Sequence, residues 1–247
     1  PQFPTARETT LATILLVDDA AALAELFGQA IERELGHTVH TVVSLAEVGA
    51  SLVLVGEIDL ALVDLSFPQE NGTGLEALAR IYQHSRATKL AVITQGDEWV
   101  AEILRDAWEL LPITTVISKS APLAFQLQAI AAVLTTGSVP PDPAIQPLLP
   151  TRRDARRTPE KFSRLVQHAG HAKLWLSLVA VDDASYKAMA DHSGLKLNTL
   201  KNYRAQLVDE LAAHGLDDPT LRDMRRFAQR CWPFLEPYIS AAGQGQR

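Results

Sequence analysis

Asp18, Asp19, Asp64, Thr94 and Lys119 are the residues of this 247-residue chain whose types and placement could do chemistry together. Each stands one or two positions past a run of four or five apolar or β-branched residues, at 13–17, 60–63, 90–93 and 113–117. Three carboxylates suit a hard divalent cation such as Mg²⁺, which takes oxygen ligands and keeps several waters. A hydroxyl and a fixed ammonium beside them suit the oxygens of a phosphoryl group. The set reads as a phosphoryl site with Mg²⁺ as its cofactor.

Such a site needs elements that bring distant residues to one place. Short continuous apolar runs read as parallel strands buried on both faces. In sheets of that kind, ligand-binding groups lie beyond the carboxyl ends of the strands. Helical patterns fall between the runs. Residues 21–35 place Leu23, Leu26, Phe27, Ala30, Ile31 and Leu35 at helical spacing, and Gly36 can stop the helix. Residues 37–43 alternate like a short strand. Ser44 and Glu47 have the spacing of a capping box, for a helix running to about Gly56. Further helices are expected over 73–82, 97–111 and 122–134. This series predicts an α/β, doubly wound, five-stranded parallel sheet in the order 2-1-3-4-5.

In order, the blocks 14–19, 62–68, 92–94 and 117–119 resemble the signature blocks of bacterial response-regulator receiver domains, over residues 10–136. The resemblance implies a flavodoxin-like fold with Asp64 as the phosphoacceptor nucleophile. It implies Asp19 as a direct Mg²⁺ ligand, Asp18 acting partly through water, and Asp64 and the main-chain carbonyl of Ser66 completing the set. Lys119 and Thr94 would meet phosphoryl oxygens. A sensor histidine kinase would be the partner, and the only chemistry would be self-phosphorylation and slow acyl-phosphate hydrolysis, so no enzyme in the usual sense. Three features depart from the pattern. Val116 stands where many receivers carry an aromatic residue that moves with Thr94 as a switch, and a β-branched side chain has no comparable rotamer change. The residue after Lys119 is Ser120 rather than proline. The loop 69–74 is longer than in many receivers.

Beyond residue 136 the texture changes. Residues 136–150 hold five prolines, which exclude helix interior and favour an extended backbone. With the basic stretch 152–157, the segment 137–157 is expected to be a linker. Residues 1–150 carry 7 Lys+Arg against 18 Asp+Glu, and residues 151–247 carry 16 against 11. An acidic half joined to a basic half points to a cation for the first and a polyanion for the second.

Residues 158–240 read as an all-helical second domain. In the window 186–207, Ala190 packs inward, Gly194 makes a turn, and Leu195, Leu200, Tyr203 and Leu207 form a buried face. The outward face then offers Lys196, Asn198, Thr199, Lys201, Asn202 and Arg204 to phosphates and base edges. Over about residues 172–232 this is similar to the LuxR/NarL-type helix-turn-helix, although Lys196 stands where a Ser or Thr usually caps the recognition helix. The resemblance implies a homodimer bound to double-stranded DNA. A last helix is expected to start at Asp218 and Pro219. Trp175, Trp232 and Cys231 read as core residues.

No run of eighteen apolar residues is present, and the first residues lack a signal pattern, so a cytoplasmic protein without membrane contact is expected. The expected function is a phosphorylation-responsive DNA-binding transcriptional regulator. Two alternatives remain open in the sequence: a DNA-binding dimer independent of phosphorylation, and a receiver whose second domain binds protein.

Overall fold

The computed structural model describes residues 11–70, 72–152 and 157–244. Asn71 and residues 153–156, the centre of the basic stretch, lie outside them, as do the first ten and last three residues. The chain divides into two compact units, one made of the residues up to 108 with 112–150, the other of 109–111 with the residues from 151 on.

In the first unit, strands β1 (Thr13–Val17), β2 (Thr38–Val42), β3 (Leu60–Val63), β4 (Lys89–Thr94) and β5 (Ile113–Ser118) form one parallel sheet. Their order is β2-β1-β3-β4-β5, as the sequence predicts. Helices α1 (Ala21–Leu35), α2 (Val48–Val55), α3 (Gly74–His84), α4 (Ala101–Leu110) and α5 (Leu123–Thr136) connect and flank the strands. One face of the sheet, with Ile14, Leu16, Leu62, Ile93 and Ile117, packs against Ile31 of α1 and Leu127 and Ile130 of α5. The alternate residues Leu15, Val17, Val63, Val92 and Val116 are fully buried too, and strand geometry turns them to the opposite face. Burial on both faces is why these strands read as unbroken apolar runs.

Helix α1 matches its expected span and stops at Gly36, whose left-handed φ of 72° lets its N–H close on the Glu32 carbonyl. Helix α2 starts later than the capping-box spacing predicts. Ser44 Oγ accepts from the N–H of Ala46 at 3.2 Å, a turn that uses up the cap before Glu47 is reached. The N–H of Leu45 donates to both carboxylate oxygens of Glu70 at 3.1 Å, which ties this turn to the loop after β3.

The proline-rich segment is not a free spacer from residue 137. Its Val139 and Asp142 N–H groups donate to the carbonyls of Thr114 and Val116, at 3.2 and 2.8 Å. Thr115 Oγ1 donates to the Pro140 carbonyl at 3.2 Å. The segment thus lies along the open edge of β5. Proline favours the extended backbone such an edge accepts, and Pro140 and Pro141 offer no N–H for further pairing. Ile145 is buried behind it. A Cβ on Gly96, whose φ is 80°, would come within 2.5 Å of Ile145 Cδ1. The strap therefore closes over the loop that follows Thr94.

The second unit is all-helical: α6 (Ala169–Ala180), α7 (Tyr186–Ser193), α8 (Leu197–Gln206), α9 (Val208–Ala213), α10 (Leu221–Arg230) and α11 (Trp232–Gln244). Phe162, Trp175, Leu200, Leu207, Leu211, Phe227, Cys231 and Leu235 form its core, and Trp175 Nε1 donates to the Leu165 carbonyl at 2.8 Å. Trp232 is half-buried, short of the core position expected of it. The helix expected from Asp218 begins at Leu221. Thr220 is its N-cap and forms a capping box with Asp223, while Asp218, at a φ of 43°, belongs to the preceding turn. That stretch is also two helices, α10 and α11.

Candidate functional site

Parallel register brings the five sequence-predicted residues together. Val17 pairs with Val63, Val63 with Val92, and Val92 with Val116, so the strands end side by side. The ladder runs one residue further. Asp18 N–H donates to Val42, Asp64 N–H to Val17 at 2.9 Å, and Lys119 N–H to Thr94 at 2.8 Å. The backbone of each functional residue is thereby fixed before its side chain is considered.

Lys119 Nζ lies 2.7 Å from Oδ2 of Asp18 and 2.7 Å from Oδ2 of Asp64. Asp18, Asp19 and Asp64 each offer an oxygen, all within 4.8 Å of one another. Asp18 and Asp64 are buried, Asp19 and Lys119 half-buried. Asp18 Oδ1 is occupied by the Ala20 N–H at 3.0 Å, whereas Asp64 Oδ1 is buried with no hydrogen-bond partner among the described residues. An unsatisfied buried carboxylate oxygen is costly, and a cation or a phosphoryl group would satisfy it. Three clustered hard oxygens fit Mg²⁺ by chemistry.

Burial raises the Asp64 carboxyl above its ordinary range, outweighing the Lys119 hydrogen bond and charge, which pull it down. Burial also raises Asp19, with the Asp18 charge adding to it. For Lys119, burial acts to lower the pKa but is outweighed by its hydrogen bonds to Asp18 and Asp64, which hold it above its usual value. Thr94 is buried beside Ser118 at the end of β4. Its Oγ1 accepts the Gly96 N–H at 3.3 Å, which leaves its own proton to donate. Val116 is fully buried, with its carbonyl held by the strap. Ser66 follows Asp64 by two residues in the same loop, and its backbone N–H acts to lower the Asp64 carboxyl pKa.

Sequence reasoning missed two residues that shape this site. Gly74 opens α3 against the β3 loop, and a Cβ there would overlap the carbonyl oxygen of Asp64. Gln126 is buried under the β5–α5 loop. A glycine before a helix and a polar residue within one carry no signal that would have found them.

In the second unit, α7 and α8 are joined by Gly194, at a left-handed φ of 69°. Lys196 is the N-cap of α8 and makes no side-chain cap bond, the departure expected from the sequence. Lys196, Asn198, Lys201 and Asn202 are exposed, with Lys201 Nζ 5.7 Å from the centre of the Tyr186 ring. Thr199 and Arg204 are half-buried instead. Arg204 donates to the Pro219 carbonyl and lies 3.6 Å from Asp218 Oδ1. It stands one helical turn after the buried Leu200, which turns it toward the flank of the core.

Residues 14–119 match the family model for the response regulator receiver domain. No curated protein matches the chain. Among solved structures, similar ones include a two-component response regulator of the LuxR family from Aurantimonas sp. SI85-9A1, at 27% identity and a TM-score of 0.47. That match covers 56% of this chain and 94% of the other. A LuxR family DNA-binding response regulator from Silicibacter pomeroyi matches at 22% identity, TM-score 0.44, over 54% of this chain and 99% of the other. A CheY-like receiver domain protein from Methanospirillum hungatei JF-1 matches at 21% identity, TM-score 0.44, over 51% and 96%. The sheet order, the carboxylate cluster with its bridging lysine and the family match over 14–119 agree: the first unit is a response regulator receiver domain.

Proposed function

We propose that the chain is a phosphorylation-responsive, DNA-binding transcriptional regulator, with Asp64 accepting a phosphoryl group from a sensor histidine kinase. The observation that carries this reading is Lys119 bridging Asp18 and Asp64 while Asp64 Oδ1 stays buried and, among the described residues, unpartnered. That oxygen is the nucleophile. Its bond to phosphorus forms as the bond from phosphorus to the donor atom breaks, and the electron pair leaves with the donor. Lys119 exchanges part of its bonding to Asp64 for a phosphoryl oxygen, and the Thr94 hydroxyl donates to another. Asp18, Asp19, Asp64 and the Ser66 carbonyl would hold Mg²⁺, which when bound neutralises charge on the phosphoryl oxygens. Turnover is limited to this self-phosphorylation and slow hydrolysis of the acyl phosphate.

The second unit would read DNA as a dimer, through Lys196, Asn198, Lys201 and Asn202 on the open face of α8. Its support is the short turn at Gly194 and the exposed polar face that follows. Phosphorylation at Asp64 would alter dimerisation and DNA affinity by shifting the receiver between two conformations. No helix among the described residues is long and apolar enough to cross a membrane, and Cys231 is buried.

One observation favours a second reading, a DNA-binding dimer independent of phosphorylation. Val116 is buried, β-branched and pinned through its carbonyl, so it offers no side-chain swing. Titration with Mg²⁺ and beryllofluoride separates the two. The first reading gives a change in oligomeric state or promoter-DNA affinity. Beryllofluoride binding without either change favours the second.

A further inference from the structure

Lys119 presents its ammonium on four flexible carbons, so the position of that charge depends on how firmly its backbone is held. On one side the hold is the Lys119 N–H bonded to the Thr94 carbonyl at 2.8 Å. On the other side the chain has Ser120, where a proline would have fixed φ. A buried amide occupies that side instead. Gln126 Nε2, from the second turn of α5, lies 3.2, 3.1 and 2.9 Å from the carbonyl oxygens of Ser118, Lys119 and Ala121. Three acceptors fix the orientation of the amide, because its oxygen in that place would face only lone pairs. Gln126 is 7% exposed, so its amide has little access to water as an alternative partner. The amide thus gathers the whole β5–α5 loop around the peptide of Lys119.

We propose that Gln126 is a positioning residue for phosphoryl transfer, fixing the loop so that Lys119 meets Asp18 and Asp64 together. The proposal rests on the phosphoryl-acceptor reading of Asp64 and adds a residue to it. Gln126 touches neither the carboxylates nor the incoming group, and its whole effect passes through Lys119. The Mg²⁺ ligands Asp18, Asp19 and Asp64 are held by other strands, so loss of the amide separates metal binding from phosphoryl binding.

The test measures two affinities on the full chain: Mg²⁺ alone, and beryllofluoride at saturating Mg²⁺. Gln126→Met removes the donors, and Gln126→Glu keeps the size while presenting only acceptors. Either variant that keeps the wild-type fold by circular dichroism serves. Expected is a loss of beryllofluoride affinity on the order of tenfold, with Mg²⁺ affinity changed less than about twofold. In a Lys119→Ala background the same change at 126 is expected to add nothing, since the residue it acts through is gone. Equal loss of both affinities, or losses at 119 and 126 that add, would overturn the positioning role. Undiminished beryllofluoride binding in both variants would overturn it as well. Failure of the wild-type chain to bind beryllofluoride at all would instead sink the reading of Asp64, and this proposal with it.

Discussion

The N–H of Asp142 donates to the carbonyl oxygen of Val116 at 2.8 Å, so the segment leaving the receiver is bonded at the position that the resemblance would make the switch. In receivers where an aromatic side chain moves at this position, the side chain can report the state of the site. Here the strap lies across the strand edge instead, and its Ile145 rests on Gly96, two residues beyond Thr94. A movement of the loop after Thr94 therefore meets the strap directly.

Replacing Ile145 by Asp would place a charge where the native side chain is 2% exposed. Burying an unpaired carboxylate costs more than the strap's few hydrogen bonds return, so the strap is expected to detach while the sheet stays folded. Limited proteolysis checks this. Cleavage within 139–149 should rise strongly in Ile145→Asp, and an unchanged digestion pattern would show that Ile145 does not hold the strap.

Gly74 leaves no room for a side chain beside Asp64. Gly74→Ala forces the start of α3 away from the β3 loop, at a cost of about 1–3 kcal/mol or more, the range of overpacking. Thermal melting should register that loss. A melting temperature equal to wild type would mean that the close approach is absent in solution.

On α8, two basic residues that look alike in sequence should behave differently. Lys201 is exposed, and Lys201→Ala is expected to weaken binding to any DNA and to lower the salt slope by about one. Arg204 braces the turn before α10, so Arg204→Ala should destabilise the second unit by about 1–2 kcal/mol. Salt-dependent DNA titrations and melts of both variants distinguish these roles. A flat DNA response to both substitutions would remove α8 from the interface.

His171 gives the second unit a pH dependence. Its ring is buried, with Nε2 3.0 Å from Gln206 Oε1 at the end of α8 and the His168 ring centre 3.9 Å away. Burial lowers its pKa below the ordinary 6.5, and the neighbouring His168 charge adds to this against the Gln206 hydrogen bond. A base whose folded pKa is depressed contributes stability that is present above the unfolded value and lost as pH falls through the folded one. Stability of the second unit should therefore decline below about pH 6.5, and His171→Gln should flatten that decline. Melts between pH 8 and pH 5 test it. A wild-type curve as flat as the variant's would contradict the assignment.

The sheet order and the positions of Asp18, Asp64, Thr94 and Lys119 were legible in the sequence because buried parallel strands write themselves as apolar runs, and the chemistry sits at their ends. Helix α1 was equally legible, having both its periodicity and its Gly36 stop. Other features depended on contacts between residues far apart in the chain. Nothing local to the proline-rich segment says that β5 is an edge strand in need of a partner. Gln126 reads as an ordinary polar helix residue until the three carbonyls of the loop above it are in place. Arg204 and Thr199 fell on the outward face only if α8 had a broad open side, and packing of Leu200 and Leu207 narrows it. The start of α10 was misplaced because Asp218 and Pro219 mimic a cap that Thr220 and Asp223 provide.

The most direct measurement is the intact mass of the protein after incubation with Mg²⁺ and a small acyl phosphate donor. One added phosphoryl group is expected on the wild-type chain, absent from Asp64→Asn and absent when the metal is chelated. A wild-type chain that gains no mass, or a gain that persists in Asp64→Asn, would contradict the assignment of Asp64 as the phosphoryl acceptor.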